Sequence, residues 1–327
     1  MIQMTLMGTG TSHGVPVAAC RCPVCRSKDR HDKRMRCSAY ITEKISGRTT
    51  ARVLIDAGPE FRLQALRYRI PTLNAVLITH SHADHLHGLD DLRVFSHTKT
   101  CSNSRHHEWS SADQTFSEDD NPGLPLYADA STLQDIHSRF AYVFKHTQEG
   151  GGKPKLYLQD CGSFTPDAPL TVGTMTIVPI PLLHGKIADT GWVISCTARD
   201  GTRHSIAYLT DCSFISEESL ALLARAAGTA SSASEGTAPH AVLDHLIIDA
   251  LRPEGHTTHC SFEQALGYAE RIQARCTWFT HISHDMTHTG IQEYIQDKLP
   301  VYPALTRIVS QGGCVSPAHD GLRLTAG

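Results

Sequence analysis

The hydrophobic positions fall in short runs bounded by glycine, proline and polar clusters, the signature of many short strands alternating with helices. Residues 2–7 and 39–45 read as strands on either side of a stretch rich in glycine, cysteine and proline. A third strand, 51–56 (ARVLID), is stopped by Ala57-Gly58-Pro59. Over 60–70 the apolar positions Phe61, Leu63, Ala65, Leu66 and Ile70 are interleaved with arginines, which predicts a surface helix. The run 74–79 (NAVLIT) predicts a buried strand ending at His80. Further strands are expected at 125–128, 174–181, 192–197, 204–210 and 245–248, and helices at 131–140, 217–227 and 262–275, the last with Ser261 as N-cap.

Two stretches carry no such period. Residues 96–123 are crowded with Ser, His, Asp and Asn, and 228–239 (GTASSASEGTAP) have linker chemistry, so both read as surface insertions. Because strands and helices alternate before and after them, the chain reads as one α/β domain over 1–327.

Composition narrows the function classes. At 327 residues and 40% hydrophobic content the chain has enough apolar side chains for a full core, which excludes a wholly disordered protein. A net charge of −3 and a sequence pI near 6.7 advertise neither a nucleic-acid nor an acidic-membrane surface. Eleven cysteines are sparse and odd in number, which favours reduced thiols with some serving as metal ligands. The N-terminal residues show no basic segment leading into a long apolar one, so the expectation is a soluble, cytoplasmic protein without a membrane partner. The unusual figure is 21 histidines. Imidazole is the commonest metal ligand, so their arrangement matters.

They are arranged. His80-Ser81-His82-Ala83-Asp84-His85 follows directly on NAVLIT. Residues two apart at a strand end point the same way, so His80 and His82 can offer imidazoles to one cation, while Asp84 and His85 in the next turn reach a neighbouring one. Four ligands cannot complete two coordination spheres, so others must come from distant strand ends. His184 after IVPIPLL, Asp211 after IAYLT and His281 after TWFT are the candidates. Near the N-terminus, Cys20, Cys22 and Cys25 place three thiols in six residues, which reads as part of a structural zinc site. Its fourth ligand is not local: His31 and Cys37 are near candidates and His284 a far one.

The ordered set HSHADH, PLLHG, YLTDCS and THISHD resembles the metallo-β-lactamase superfamily of binuclear metallohydrolases. That resemblance implies an αββα sandwich with two divalent cations at one edge, manganese or zinc. His80, His82 and His184 would hold one, Asp84, His85 and His281 the other, with Asp211 bridging. The combination of GTGTSHGVP, CxCxxC and THxSHD is similar to the PhnP-type phosphodiesterases of the carbon–phosphorus lyase pathway. It implies that His284, three residues after His281, closes the structural zinc site with the three cysteines. It also implies an acting histidine about twenty residues before the last metal ligand: His259 matches best and His256 is the fallback. The expected activity is hydrolysis of small cyclic or nucleotide-like phosphodiesters through a metal-bridging hydroxide, with Asp84 and His259 as catalytic residues. Asp56, ending ARVLID, is expected to orient a metal-bound histidine.

Two other readings share these motifs. An RNA-processing endonuclease of the tRNase Z type has the same seven ligands, but no long basic or glycine-rich arm is present, which argues against a nucleic-acid partner. A non-catalytic, metal-holding protein similar to the PqqB type of cofactor pathways is the other. β-Lactam hydrolysis is not expected, because the bridging position is Asp211 and Cys212 falls one residue late. The chain is longer than compact PhnP-like proteins, and the extra length at 96–123 and about 142–166 is expected to form a lid. A homodimer is expected by resemblance.

Overall fold

The computed structural model describes residues 1–96, 123–145, 152–229 and 241–327. The insertions expected at 96–123 and 228–239 lie almost wholly outside the described residues.

The strands are β1 (Ile2–Gly8), β2 (Ser38–Ile45), β3 (Arg48–Ile55), β4 (Ala75–Leu77), β5 (Leu124–Ala128), β6 (Leu156–Asp160), β7 (Leu170–Val172), β8 (Met175–His184), β9 (Ile187–Thr197), β10 (Arg203–Leu209), β11 (Ala241–Asp249), β12 (Cys276–Thr280), β13 (Cys314–Pro317) and β14 (Arg323–Ala326). They form two seven-stranded sheets, ordered β14-β1-β2-β3-β4-β5-β6 and β13-β12-β11-β10-β9-β8-β7.

Period-two alternation assigns each strand residue to one of three packed layers. On β10, Ile206 and Tyr208 point between the sheets, where they meet Trp192, Ile247, Met4, Ile41 and Val53. Ala207 and Leu209 point the other way, into a layer with Leu223, Phe262, Leu266, Ile291 and Leu305 from the helices Glu217–Ala227, Phe262–Ile272, His288–Lys298 and Pro303–Ser310. The first sheet is covered likewise: Leu54, Val76 and Leu126 pack on Phe61, Leu86 and Ile136. The result is the αββα sandwich, each large apolar side chain in it contributing about 1.5–3 kcal/mol by leaving water. The helix Phe262–Ile272 shows the local logic. Ser261 and Gln264 form a reciprocal capping box, and Phe262, Ala265, Leu266 and Ala269 bury one face.

Several element limits differ from the sequence expectation. The helix expected over 262–275 stops at Ile272, because Gln273 turns left-handed (φ 55°). β8 and β9 run further than 174–181 and 192–197, since the tight turn at Gly185 (φ 64°) lets pairing continue to His184 opposite Ile187. The segment around 142–166 is not a lid where it is described: β6 within it adds to the first sheet, parallel to β5.

Strand direction gathers the site. β10, β11 and β12 are mutually parallel, and β8 points with β10 because each is antiparallel to β9. The carboxyl ends of β8, β10, β11 and β12 therefore share one rim. β4 delivers its own end there, tied across by Thr190 N–H donating to Thr79 O at 2.9 Å.

Candidate metal centre

At that rim the expected ligands meet. His80, His82 and His184 place donor atoms within 4.8 Å of one another, as do Asp84, His85, Asp211 and His281. Asp211 also groups with His184 and His259, so it stands between the two sets. His80, His85, Asp211 and His281 are all buried.

Three of the imidazoles are aimed by their other nitrogen, while His281 Nδ1 has no hydrogen-bond partner among the described residues. His85 Nδ1 lies 2.7 Å from Asp56 Oδ2, and Asp56 is itself fixed by Thr79 N–H at 2.9 Å and Thr79 Oγ1 at 3.0 Å. His184 Nδ1 donates to Thr258 O at 2.6 Å. His80 Nδ1 stands 3.1 Å from Thr79 Oγ1 and 3.3 Å from Asp189 Oδ1. Such contacts fix the tautomer and leave Nε2 with its lone pair.

Those Nε2 atoms face the middle of the site. His85 Nε2 lies 3.2 Å from Asp84 Oδ2 and 3.0 Å from Asp211 Oδ2, and His281 Nε2 lies 3.1 Å from Asp211 Oδ1 and 3.7 Å from Asp84 Oδ2. Among the described residues, the Nε2 atoms of His80, His85 and His281 nevertheless make no properly aligned hydrogen bond. Buried polar nitrogens without partners are costly. Ligands at 2.0–2.2 Å from one cation are separated from each other by about 2.9–3.6 Å, so the donor set fits divalent metals.

The electrostatics follow from burial. Burial drives His80 well below the ordinary imidazole value and His184 down to about 4. Burial also opposes charge on His85, but the Asp211, Asp84 and Asp56 carboxylates outweigh it and hold its pKa well up. For Asp211, burial is overcome by His281 and His85, which keep it ionised. Asp189 is the opposite case: burial pushes its carboxyl well up.

Local backbone is bent to make this arrangement. Asp56, Asp211 and His281 all adopt left-handed conformations, with φ of 61°, 53° and 58°. A Cβ on Gly58 would lie 1.9 Å from Asp84 O, so only glycine lets the Asp56 loop pack against the Asp84–His85 turn. Arg139 bonds Ser81 O from the helix Ala130–Arg139, pinning the turn between His80 and His82.

His259 joins the same rim, its ring 4.5 Å from those of both His184 and His281. Its Nδ1 lies 2.7 Å from Asp249 Oδ2, and burial lowers its pKa. His256 is exposed and bonds Thr258 instead, 5.3 Å from the His259 ring. Asp249 and Asp189 were not among the sequence candidates. Asp249 ends an apolar run (LIID) just as Asp211 follows one, so the same rule finds it. Asp189 has no such signal.

The cysteine cluster closes on His284. Sulfurs of Cys20, Cys22 and Cys25 lie 3.4, 3.5 and 3.3 Å from His284 Nδ1. A tetrahedral zinc with bonds near 2.3 Å to sulfur and 2.0–2.1 Å to nitrogen requires about 3.5 Å along that edge, so these four fit zinc. The Cys25 N–H donates to Cys22 sulfur and draws that thiol down to about 6, while burial pushes Cys25 up to about 11. The two nearer candidates are occupied elsewhere: His31 packs on His288 and His319, and Cys37 lies 3.4 Å from Thr280 Oγ1.

Fold and site together define a metal-dependent hydrolase of the metallo-β-lactamase type, and a family model described as the beta-lactamase superfamily domain matches residues 51–282. The chain belongs to that superfamily. Within it, a crystal structure of a diphosphatase of the PhnP family is 31% identical and superposes with a TM-score of 0.69, covering 99% of this chain and 98% of its own. Zinc-bound PqqB from Methylobacterium extorquens shares the fold at 18% identity and a TM-score of 0.63, covering 99% of each chain. An octanoyltransferase from Porphyromonas gingivalis is 32% identical over 94% of this chain. The chain spans only 52% of that relative's length.

Proposed function

We propose that the protein hydrolyses small cyclic or nucleotide-like phosphodiesters at two divalent cations, manganese or zinc. In this reading His80, His82 and His184 would hold one cation and Asp84, His85 and His281 the other, with Asp211, which stands between the two sets, serving both. The observation that carries it is the convergence of unpartnered imidazole nitrogens on Asp84 and Asp211 beside the Asp249–His259 pair. When bound, such cations supply positive charge to phosphate oxygens and make water acidic enough to react near neutral pH.

The protein's own residues do the rest. Asp249 holds His259 through Nδ1, leaving Nε2 to give a proton to the departing oxygen. Asp84, with Oδ2 toward His85 and His281, keeps a second oxygen to accept a proton from the attacking water. Asp56 holds His85 in one tautomer. Cys20, Cys22, Cys25 and His284 would hold a zinc, which would tie the N-terminal loop to the loop after His281 and steady that segment without entering the reaction. We read the chain as one domain, acting as a homodimer on a small molecule and not on nucleic acid.

A second reading is supported by the relative that is 31% identical, which is named a diphosphatase: the scissile bond would then be a phosphoric anhydride. The match over nearly the whole chain to that protein favours hydrolysis over the acyl transfer named for the longer relative. The test is hydrolysis of bis-p-nitrophenyl phosphate and a 2′,3′-cyclic nucleotide, set against a nucleotide containing a P–O–P bond, by manganese- or zinc-loaded protein. Faster turnover of the diesters supports the first reading. Turnover of the anhydride alone replaces it with the second.

A further inference from the structure

Three neighbouring strands of the second sheet carry a row of chemistry at the end remote from the metals. Parallel register sets His245 of β11 beside Cys276 of β12, and Cys276 beside Cys314 of β13. Residues paired in register share a face, so the three side chains stand side by side. Cys276 begins β12 and His281 follows its last residue, which separates this row from the metal rim by about 16 Å of extended chain.

The two thiols are placed for a disulfide. Adjacent strands run about 4.8 Å apart, inside the 4.4–6.8 Å Cα separation that a disulfide spans. Both cysteines are partly exposed, and they are paired directly across β12 and β13. Cys212 and Cys260, also close together, are fully buried by contrast and out of reach of a solute.

A cavity of about 370 Å³ opens over Cys276, lined also by His245, Trp278, Asp244, Arg275 and Arg323. His245 accepts from the Trp278 indole N–H at 3.2 Å, and its other nitrogen lies 3.1 Å from Thr325 O. Asp244 is held by His204 at 2.9 Å. The two guanidinium groups give the mouth a preference for anions, and the indole face offers an apolar surface.

We propose that Cys276 and Cys314 are a reversible dithiol–disulfide site whose oxidant is an anionic low-molecular-weight disulfide docked in this cavity. The Cys276 thiolate attacks one sulfur of that disulfide, forming a mixed disulfide and expelling one thiolate. Cys314, losing its proton to water, then attacks Cys276 sulfur and expels the second. Two protein thiols are oxidised and one small disulfide is reduced to two thiols. The neighbouring Cys314, with His245 adding and burial opposing, draws Cys276 down to about 5, while Cys276 and burial push Cys314 up, which sets the order of attack.

The test treats zinc-loaded protein with glutathione disulfide and follows intact and peptide masses. Wild type is expected to lose two hydrogens and yield a Cys276–Cys314 peptide pair. Cys314→Ser is expected to trap one glutathionyl group on Cys276, and Cys276→Ser to react at neither position. Cationic cystamine should oxidise the wild-type pair about tenfold more slowly than glutathione disulfide. Modification of other cysteines with this pair left reduced would overturn the proposal, and so would equal rates with the two reagents. Thermal midpoints of both serine variants verify folding, and the wild-type peptide map stands without them.

Discussion

Asp249 and His259 form the contact on which the proposed chemistry turns, a 2.7 Å pair at the ends of different segments. Replacing Asp249 by Asn or His259 by Ala should lower kcat by about 10²–10⁴ while the metal content stays unchanged. Loss of metal along with activity would instead make His259 a ligand, as its grouping with His184 and Asp211 permits. Asp56 gives a different prediction. Because it fixes the His85 tautomer, Asp56→Ala should weaken catalytic-metal affinity about 10–100-fold, measured by competition with a chelating dye. At this scale the candidate cluster is legible in the sequence where its donors are contiguous or end apolar runs, as in HSHADH, Asp211 and His281. Asp189 did not, because its place beside His80 depends on the β8–β9 hairpin bringing Leu182 opposite it, and no short pattern encodes that.

At the scale of elements, the turn Arg30–Asp32, the start of the helix His288–Lys298 and the tail near Ala318 pack as a unit around buried Arg34. His288 N–H donates to Asp32 at 2.6 Å, and Arg34 lies 3.3 Å from His288 Nδ1. Burial, then Arg34, His31 and His319, hold His288 down at about 4 against an unfolded value of 6.5, with Asp29 opposing weakly. The unfolded chain therefore takes up this proton as pH falls below 6.5, and the folded chain only near 4. Stability from this group is whole above 6.5 and lost as pH falls across that window. The ring is only partly buried, so about 1–2 kcal/mol is the discounted size. Thermal midpoints across that range should fall less in His288→Asn than in wild type; parallel slopes would reject the assignment.

Element limits were less legible than element types. β8 and β9 lengthened because a tight turn at Gly185 allowed pairing to its last residue, and that glycine is also required by Thr258, 2.9 Å from where a Cβ would stand. The same turn puts His184 at the very end of β8 rather than beyond it. Edge elements such as β6 and β7 went unseen because their half-exposed or three-residue patterns carry little periodic signal.

For the whole molecule, two sheets with their strand ends on one rim turn five segments, distant in sequence, into one cluster of His and Asp donors. The α/β class was legible from alternating short strands and helices and the αββα sandwich from the resemblance its metal motifs carry, whereas the order of the fourteen described strands was not, since pairing is decided by contacts far apart in the chain. The same architecture leaves the opposite ends of β12 and β13 for the proposed thiol chemistry.

The most direct measurement of the central claim is phosphodiester hydrolysis by chelator-stripped protein as manganese or zinc is added back in measured equivalents, with Asp211→Ala alongside. Activity should be absent at first, rise with metal and saturate once the two cation sites are filled, with the Asp211 variant inactive throughout. Hydrolysis that ignores chelation, or an Asp211 variant that matches wild type, would contradict a function built on the paired metal site.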